Sequence, residues 1–318
     1  MHDPQFNESA GRLVVTADGR DWLATDARYL DAAARIWDRE RIFIYGGGAA
    51  RDLYGLLRRC GSRIGLEYQG ISMAFARSLA EAGSGLHCQA ADGLVERLRR
   101  IKEPCEIAAL EKSFALNHKL MKWVETQLVP GRTEAEISWL IERFFRENGA
   151  SELAFANIVA VGKNAALPHA IPGQDAVTDN CPVLVDVGCR VENYCSDQTR
   201  TFWVGTAPTD EFRRALDLTR QAQTAAIEGM RPGMPLRDAY ALAHRVFEKA
   251  DVANAFTHGL GHGVGLETHE APSLSPRAEG TLEPGMVVTV EPGLYYPQWG
   301  GIRWEYTVLV EEDGVRIL

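Results

Sequence analysis

The chain has 318 residues, of which 46% are hydrophobic and 24% charged, and a formal net charge of −9 with a pI near 5.5. These values are typical of a globular protein with two domains, and the acidic balance argues against nucleic acid or an anionic membrane as the main partner. The opening residues lack a basic start and an apolar run, which predicts no signal peptide, and no run of about 18 apolar residues predicts a membrane span.

Residues 1–100 alternate short apolar runs with helical ones, which predicts a small α/β domain. Two strands in "RLVVTADGRDWLAT" are joined by the turn Ala17-Asp18-Gly19. The elements expected after them are a strand in "RIFIYGGG", a helix in "ARDLYGLLRRC", a strand in "RIGLEY" and a helix in "ISMAFARSLAEAG".

Two longer helices are predicted next. The first begins at Pro104, a residue favoured in the first turn. Apolar residues at helical spacing line one of its faces: Ile107, Leu110, Phe114 and Met121. The second begins at a capping box formed by Thr133 and Glu136. We place the domain boundary between residues 95 and 105, which gives an N-terminal domain at 1–100 and a C-terminal domain at 101–318.

From about residue 154 the pattern turns to strands, interrupted by helices near residues 209–230 and 235–250, which predicts an α+β domain built on antiparallel hairpins. The chain has six cysteines but no C-x-x-C pair, which indicates reduced thiols and a cytoplasmic location. The three closest in sequence have apolar neighbours, so we interpret them as packed in strands rather than as a metal cluster: Cys181, Cys189 and Cys195.

The segment "HGLGHGVGLETHE" holds His258, His262 and His269, the first two at the spacing of a helical zinc site. Its four alternating glycines argue against a helix, because each costs about 1 kcal/mol there relative to alanine. Glycine at every second position favours a strand or turn that another group approaches closely. Gly259 also occupies the place of the glutamate in an H-E-x-x-H site. Most ligands of any metal bound here must therefore come from other segments.

Four carboxylates stand where strands are normally apolar. Asp186 ends "VLVD" and Asp197 lies within "YCSDQTRTF", and a hairpin turning at Val191-Glu192 sets the two acids opposite each other. Glu291 ends "VVTVE" and Glu305 lies within the returning strand of "GIRWEYTVLV". Facing buried carboxylates repel unless they are protonated or bridged by a cation. With one histidine they predict a site for divalent metal ions; the alternative is that each acid faces solvent on its own strand.

These segments resemble the M24 metallopeptidases of pita-bread fold, in the Xaa-Pro dipeptidase (prolidase) and aminopeptidase P branch. The matching stretches run in family order: "ALPHAIPG", "DVGCRVENYCSDQTRTF", "HGLGHGVGLETHEAP", "EPGLYY" and "GIRWEYTVLV". Further upstream, "GLEYQG" and "LVERLRRIKEPCEIAALEKS" resemble the family's creatinase-type N-terminal domain and linker. The resemblance implies an α+β protein with a C-terminal pita-bread domain and a small N-terminal α/β creatinase-like domain.

The resemblance also implies ligands for two divalent metal ions, Mn²⁺ in the first place and Co²⁺, Zn²⁺ or Fe²⁺ as alternatives. Asp186 would hold one ion as a terminal ligand. Asp197 and Glu305 would bridge both ions. His262 and Glu291 would complete the coordination of the second.

Further residues match positions around the family's substrate cleft. His169, His258 and His269 match histidines that bind substrate or transfer protons. Arg303 matches an arginine that orders the metal-binding groups, and Tyr295 matches a tyrosine of the site.

The implied activity is hydrolysis of the Xaa-Pro bond at the N-terminus of dipeptides or short peptides by a hydroxide shared between the metals. Glu291 is the expected acid or base, and a histidine would protonate the departing nitrogen. The expected partners are a proline-containing peptide and a second copy of the chain in a homodimer, with no nucleic acid and no membrane.

Two features depart from the family pattern. Its last motif reads Glu-Asp-Thr, whereas this chain has Glu305-Tyr306-Thr307, which exchanges a carboxylate near the metals for a phenol. The N-terminal domain also looks short, so either residues are missing or a partner subunit covers the gap.

Three other functions share parts of this pattern. A methionine aminopeptidase shares the five ligands but lacks the N-terminal domain, and creatinase works without this carboxylate set. Non-catalytic pita-bread modules have typically lost metal ligands, whereas this chain keeps all five. The sequence leaves open the native metal and the choice between dipeptides and longer peptides.

Overall fold

The computed structural model describes residues 2–3, 8–9 and 11–318. The chain divides into two compact units, Met1–Val95 and Glu96–Leu318. Within the described residues, no helix combines the length and the apolar character needed to cross a membrane.

The N-terminal unit alternates strands with helices, as predicted. Its strands are β1 His2–Asp3, β2 Glu8–Ser9, β3 Arg12–Val15, β4 Asp21–Asp26, β5 Ile42–Tyr45, β6 Arg63–Leu66 and β7 His87–Ala90. Its helices are α1 Leu30–Ala33, α2 Ala49–Cys60 and α3 Met73–Glu81, and α4 Leu94–Arg99 begins at its end. β3, β4 and β5 form one sheet, in which β4 and β5 are parallel, and the β6–β7 pair is also parallel. Leucines of α2 and α3 pack into its core: Leu53, Leu56, Leu57 and Leu79.

The C-terminal unit contains longer helices and antiparallel strands. Its helices are α5 Pro104–Val124, α6 Glu134–Glu147, α7 Asp210–Gly229 and α8 Leu236–Lys249. Its strands are β8 Glu152–Leu153, β9 Ile158–Val161, β10 Cys181–Val187, β11 Cys189–Val191, β12 Tyr194–Cys195, β13 Gln198–Val204, β14 Gly261–Gly263, β15 Glu270–Leu274, β16 Val287–Val290, β17 Gly293–Tyr296, β18 Gly300–Arg303, β19 Tyr306–Val310 and β20 Val315–Ile317.

The predicted helix starts are confirmed. Pro104 opens α5, and α6 begins at a capping box in which the N–H of Glu136 donates to Thr133 Oγ1 and the N–H of Thr133 donates to Glu136 Oε2. The predicted apolar face of α5 is buried at Leu110, Phe114 and Met121. The three clustered cysteines are free and buried on strands, as expected.

Two pairs of helices cover two antiparallel sheets in the C-terminal unit. Apolar residues of α5 and α6 pack on the sheet β13-β10-β9, and those of α7 and α8 pack on β15-β14-β16-β19-β20. The two sheets meet where the N–H of Glu305 donates to the carbonyl of Thr199, at 3.2 Å. This junction is where the predicted site residues gather.

The hairpin that follows Asp186 turns one residue later than predicted. Its turn residues are Glu192 and Asn193, with φ of 50° and 71°, as a type I′ turn requires. The expected turn would have placed the β-branched Val191 at positive φ, which is strongly disfavoured. Asp186 therefore pairs with Thr199, and the prediction that it directly opposes Asp197 is wrong.

The acids also occupy different positions relative to the strands than expected. Asp197 lies in the break between β12 and β13, and Glu305 lies in the break between β18 and β19 rather than inside a strand. Glu291 directly follows β16, as predicted. A break in the ladder releases the backbone from the alternation of strand faces, so each acid can turn toward the junction of the sheets.

Candidate metal centre and substrate cleft

Three carboxylates meet at the junction of the two sheets. One oxygen each from Asp186, Asp197 and Glu305 lies within 4.8 Å of the others. The three residues are only 8%, 5% and 1% exposed. Three acids this close and this deeply buried cannot all carry an uncompensated negative charge.

His262 and Glu291 adjoin this cluster. His262 Nε2 lies 3.3 Å from Glu291 Oε1 and 3.6 Å from Asp197 Oδ2, while its Nδ1 lies 3.1 Å from the carbonyl of Gly263. With Nδ1 donating to this carbonyl, Nε2 faces the two carboxylates: it donates to them when the ring is protonated, and it offers its lone pair to a cation when the ring is neutral. Thr289 Oγ1 donates to Glu291 Oε1 at 3.0 Å and accepts from the N–H of His262 at 3.0 Å. The five predicted ligands thus lie together.

The predicted close approach at the glycines of the histidine segment is confirmed. A Cβ added at Gly261 would lie 2.0 Å from the carbonyl oxygen of Thr289, and one at Gly263 would lie 2.4 Å from that of Ala271. β14 therefore fits between its neighbours only without side chains at these positions. His262, between the two glycines, is held in place by this tight packing.

Gly261→Ala is expected to destabilise the protein by roughly 1–3 kcal/mol, because the added methyl overlaps backbone atoms. Urea unfolding followed by circular dichroism measures the change. Gly314→Ala is the matched control, since no atom lies within 4 Å of its added Cβ. Equal stability of the two variants would contradict the packing described for β14.

The residues fit a cation. Among the described side chains, the buried oxygens Asp186 Oδ1 and Glu305 Oε1 have no hydrogen-bond partner, and buried acceptors are rarely left unpaired. Both belong to the carboxylate cluster. Carboxylate oxygens with one imidazole are a ligand set that divalent first-row metals accept, and a cation would satisfy both oxygens and offset the negative charge.

The cluster shifts the pKa values of its members in opposite directions. Burial, together with neighbouring Glu305 and Asp186, raises the pKa of Asp197 well above its usual range. Burial, Glu291 and Asp186 raise the pKa of Glu305 to about 8. Burial opposes charge on Glu291 and His262 as well, but their mutual hydrogen bond and attraction outweigh it. This hydrogen bond and attraction lower the pKa of Glu291 to about 2 and raise that of His262 to about 9. Metal-free protein at neutral pH therefore holds protons that a metal must displace.

Metal-free protein is expected to lose thermal stability between pH 4.5, where the loss from Glu305 begins, and pH 9, where that from His262 ends. The folded-state pKa of Glu305, about 8, lies above its ordinary 4.5, and that of His262, about 9, lies above 6.5. The stability gained from each bound proton is complete below the ordinary pKa and is lost as pH rises through the folded-state value. Melting curves in EDTA at several pH values measure the fall in melting temperature. This fall should be smaller in Glu305→Gln, which has no carboxyl group to titrate at that position. A melting temperature in EDTA that is constant or rises over this range would contradict the assigned protonation.

Arg303 ties Asp186 to the Tyr295–His258 part of the site. It is 3% exposed, and its Nη2 lies 2.5 Å from Asp186 Oδ2. Its Nε donates to Thr199 Oγ1 at 3.1 Å and its Nη1 to the hydroxyl of Tyr295 at 2.9 Å. Thr199 Oγ1 in turn donates to Glu305 Oε2 at 2.7 Å. One guanidinium thus orients Asp186 directly and Glu305 through a threonine.

His258 extends this network. Its Nε2 lies 2.9 Å from the Tyr295 hydroxyl and its Nδ1 2.8 Å from the carbonyl of Gly259. Burial lowers the pKa of His258, and burial raises that of Tyr295 to about 12. At neutral pH both are uncharged hydrogen-bonding groups.

The two remaining predicted histidines are exposed. The ring of His269 packs against that of His262, with centroids 4.1 Å apart and the ring planes tilted by 43°. Burial lowers the pKa of His269, and the charges of His262 and then His169 lower it further. The charge of His169 also contributes to the lowered pKa of His258. His169 therefore lies near the other two histidines.

Arg200 is a site residue that the sequence reasoning missed. It is 8% exposed, and its Cζ lies 4.5 Å and 4.3 Å from the ring centroids of Trp304 and Tyr306. Its Nη1 donates to the backbone carbonyls of Thr199 and Glu305. Tyr306, the departure from the family pattern, thus stacks on a cation that fixes the backbone of Glu305.

Comparison with known proteins finds matches to the family suggested by the sequence in both parts of the chain. Residues 108–312 match the model of metallopeptidase family M24, and residues 5–101 match that of the Creatinase/Prolidase N-terminal domain. A Xaa-Pro dipeptidase of Pyrococcus furiosus is 33% identical over 267 residues, which are 84% of this chain and 76% of that protein.

Two solved structures share the fold over nearly the whole chain. A Xaa-Pro dipeptidase from Bacillus anthracis superposes with a TM-score of 0.93 at 32% identity, covering 98% of this chain and 88% of that one. An X-Pro aminopeptidase from Thermotoga maritima gives 0.87 at 30% identity, with 98% and 89% covered. The expected pita-bread fold behind a creatinase-type N-terminal domain is confirmed. With the family model matching most of its C-terminal unit, the chain belongs to metallopeptidase family M24.

Proposed function

We propose that this metallopeptidase hydrolyses the Xaa-Pro bond at the N-terminus of dipeptides or short peptides. The observation that carries the proposal is the convergence of Asp186, Asp197 and Glu305 with His262 and Glu291. Relatives and structural neighbours named Xaa-Pro dipeptidase and X-Pro aminopeptidase support the choice of substrate.

We propose that these five residues hold two divalent metal ions, with Mn²⁺ the first choice and Co²⁺, Zn²⁺ or Fe²⁺ as alternatives. When bound, such ions polarise a carbonyl group and lower the pKa of a water molecule. Asp186, Asp197 and Glu305 would hold the ions with carboxylate oxygens, together with His262 and Glu291. The unpartnered oxygens of Asp186 and Glu305 support this arrangement.

The chain's own groups would orient the substrate and move protons. Thr289 fixes one oxygen of Glu291, which leaves the other to accept a proton from the attacking water. Uncharged His258 and exposed His269 would contact the substrate carbonyl or the departing nitrogen, with His169 completing the cleft. Arg303 would keep Asp186 and the Tyr295–His258 pair in place.

The alternative functions fit the site less well. A methionine aminopeptidase needs no creatinase-type N-terminal domain, which this chain matches at residues 5–101. A binding module has no use for five converging ligands with buried, unpartnered oxygens. We also propose a homodimer and a cytoplasmic location. The free state of the six cysteines supports the location, and sedimentation velocity tests the dimer.

Hydrolysis of Ala-Pro and Ala-Pro-Ala, with added Mn²⁺ and with EDTA, tests the proposed function. We expect EDTA-sensitive cleavage of the Ala-Pro bond. Cleavage of the dipeptide alone identifies a dipeptidase, and cleavage of the tripeptide identifies an aminopeptidase. Ala-Ala is the matched control for the proline requirement. Failure to cleave either proline peptide, in protein shown to bind Mn²⁺, would refute the substrate assignment.

A further inference from the structure

Lys102 is a buried lysine outside the proposed metal centre. Its side chain is 1% exposed, and its Nζ lies 2.6 Å from Glu270 Oε1. Its backbone N–H donates to the carbonyl of Gly285 at 2.8 Å. Lysine is almost never buried to this extent without a partner, so the contact with Glu270 determines where this side chain lies.

Glu270 receives a second cation on its other oxygen. Arg99 Nη2 lies 2.6 Å from Glu270 Oε2, and the Glu270 side chain is only 8% exposed. Each carboxylate oxygen therefore has its own positive partner, and both partners come from the segment 99–102 that precedes α5. Charge-assisted bonds of this length in a buried setting are the strong ones.

This ion-pair cluster lies directly behind the turn that carries His269. Glu270 is the next residue and begins β15, and its Oε2 also accepts the N–H of Glu267 at 3.4 Å. A Cβ on Gly265 would lie 2.4 Å from Glu270 Oε1, so the carboxylate fills the space beneath the turn. Thr268 Oγ1 donates to the carbonyl of Ala154 at 3.0 Å, which adds a second anchor.

The His269 ring itself has little to hold it. It is exposed and packs at a tilt against the ring of His262, and within residues 11–318 its imidazole makes no hydrogen bond. Its position is therefore set by the backbone of the turn and by that ring contact.

We propose that Glu270, clamped by Lys102 and Arg99, is a positioning residue that holds His269 against the substrate cleft. The inference deepens the proposed function and rests on it, since it assigns the clamp to the histidine expected to contact substrate. Lys102 and Glu270 act through His269 and do not themselves touch the metal ligands or the peptide.

Lys102→Met tests the proposal, with Arg100→Met as matched control. Arg100 belongs to the same segment and also forms a 2.6 Å ion pair, but with Glu283. In Lys102→Met we expect kcat/KM for Ala-Pro to fall by up to roughly a hundredfold, since a displacement of about 1 Å can cost that much. Affinity for Mn²⁺ should be unchanged. Arg100→Met should match wild type in both measurements.

Histidine NMR in EDTA follows the ring independently of activity. In protein labelled with ¹³C at histidine Cε1, the His269 signal, identified through His269→Asn, should shift or split in Lys102→Met. The signal of His244, which lies on α8 and pairs with Glu248, should stay. If Lys102→Met fails to fold because Glu270 loses its partner, the double variant Lys102→Met/Glu270→Gln removes both charges and is used in its place.

The His269 signal, kcat/KM and Mn²⁺ affinity of the variant together test whether the clamp positions His269. An unchanged His269 signal with unchanged kcat/KM in folded variant would overturn the proposal. So would a loss of Mn²⁺ affinity, because the clamp would then act on the metal centre. If wild-type protein that binds Mn²⁺ cleaves neither Ala-Pro nor Ala-Pro-Ala, the proposed function fails, and the NMR signal alone still decides whether the clamp positions His269.

Discussion

Asp197→Asn is expected to lower kcat/KM for Ala-Pro by about a thousandfold or more and to abolish tight Mn²⁺ binding. Asp197 lies within reach of Asp186, Glu305 and His262 at once, so its loss affects the centre as a whole. A Lewis-acidic metal contributes several kcal/mol to the reaction, and each 1.4 kcal/mol corresponds to a factor of ten in rate. Isothermal titration with Mn²⁺ and steady-state kinetics measure the two effects.

The same substitution should leave the metal-free protein folded. Burial and the neighbouring acids raise the pKa of Asp197, and asparagine resembles the protonated acid that this favours. Its melting temperature in EDTA should therefore equal or exceed that of wild type. Asp313→Asn, which removes an exposed acid of the same unit, is the control and should behave as wild type. Full activity of Asp197→Asn would refute the proposed mechanism.

Arg303→Met is expected to destabilise the metal-free protein by about 3–5 kcal/mol, because it leaves Asp186 buried without its cation. The melting temperature should fall by roughly 10 °C. Activity should fall as well, since Arg303 also holds Tyr295 and, through Thr199, Glu305. Calorimetry in EDTA measures stability without the contribution of bound metal.

Two comparisons isolate the cause. Arg303→Lys keeps the charge but loses the planar fork that contacts Asp186, Thr199, Tyr295 and the carbonyl of Pro168, so its effect should be intermediate. Arg316→Met removes an exposed arginine that pairs with Glu111 and Glu311, and it should cost less than about 1 kcal/mol. Equal losses in Arg303→Met and Arg316→Met would show that burial of the Asp186 pair adds nothing.

The features that could be predicted from the sequence are those with a local signal. Pro104 and the Thr133–Glu136 box mark helix starts within one turn of chain. The alternating glycines around His262 exclude a helix by propensity alone. The gathering of Asp186, Asp197, Glu291 and Glu305 was also foreseeable, since unpaired acids in apolar strands need a common partner.

The hairpin register was predicted wrongly because the two acids were assumed to face each other across a ladder. The turn residues Glu192 and Asn193 set the register instead, and Asp197 reaches Asp186 from a break in the strand. Propensity at Val191 was the available signal, since a β-branched residue resists positive φ.

Contacts between distant segments had no local signal at all. The stacking of Arg200 between Trp304 and Tyr306, and the clamp of Lys102 on Glu270, join residues that lie about 100 or more positions apart. Thr199 and Thr289 are ordinary strand residues in sequence, and only the folded chain shows that their hydroxyls orient Glu305 and Glu291.

The order of the clustered acids along the chain has a consequence for synthesis. Asp186 and Asp197 are made early in the C-terminal unit, but Glu305 follows them only after α7, α8 and the histidine segment. A ribosome-bound intermediate can form the first hairpin, yet it lacks Glu305 and the Arg303 that neutralises Asp186. The proposed ligand set is therefore complete only after residue 305 has been made, so binding of metal by all five residues would follow synthesis of nearly the whole C-terminal unit.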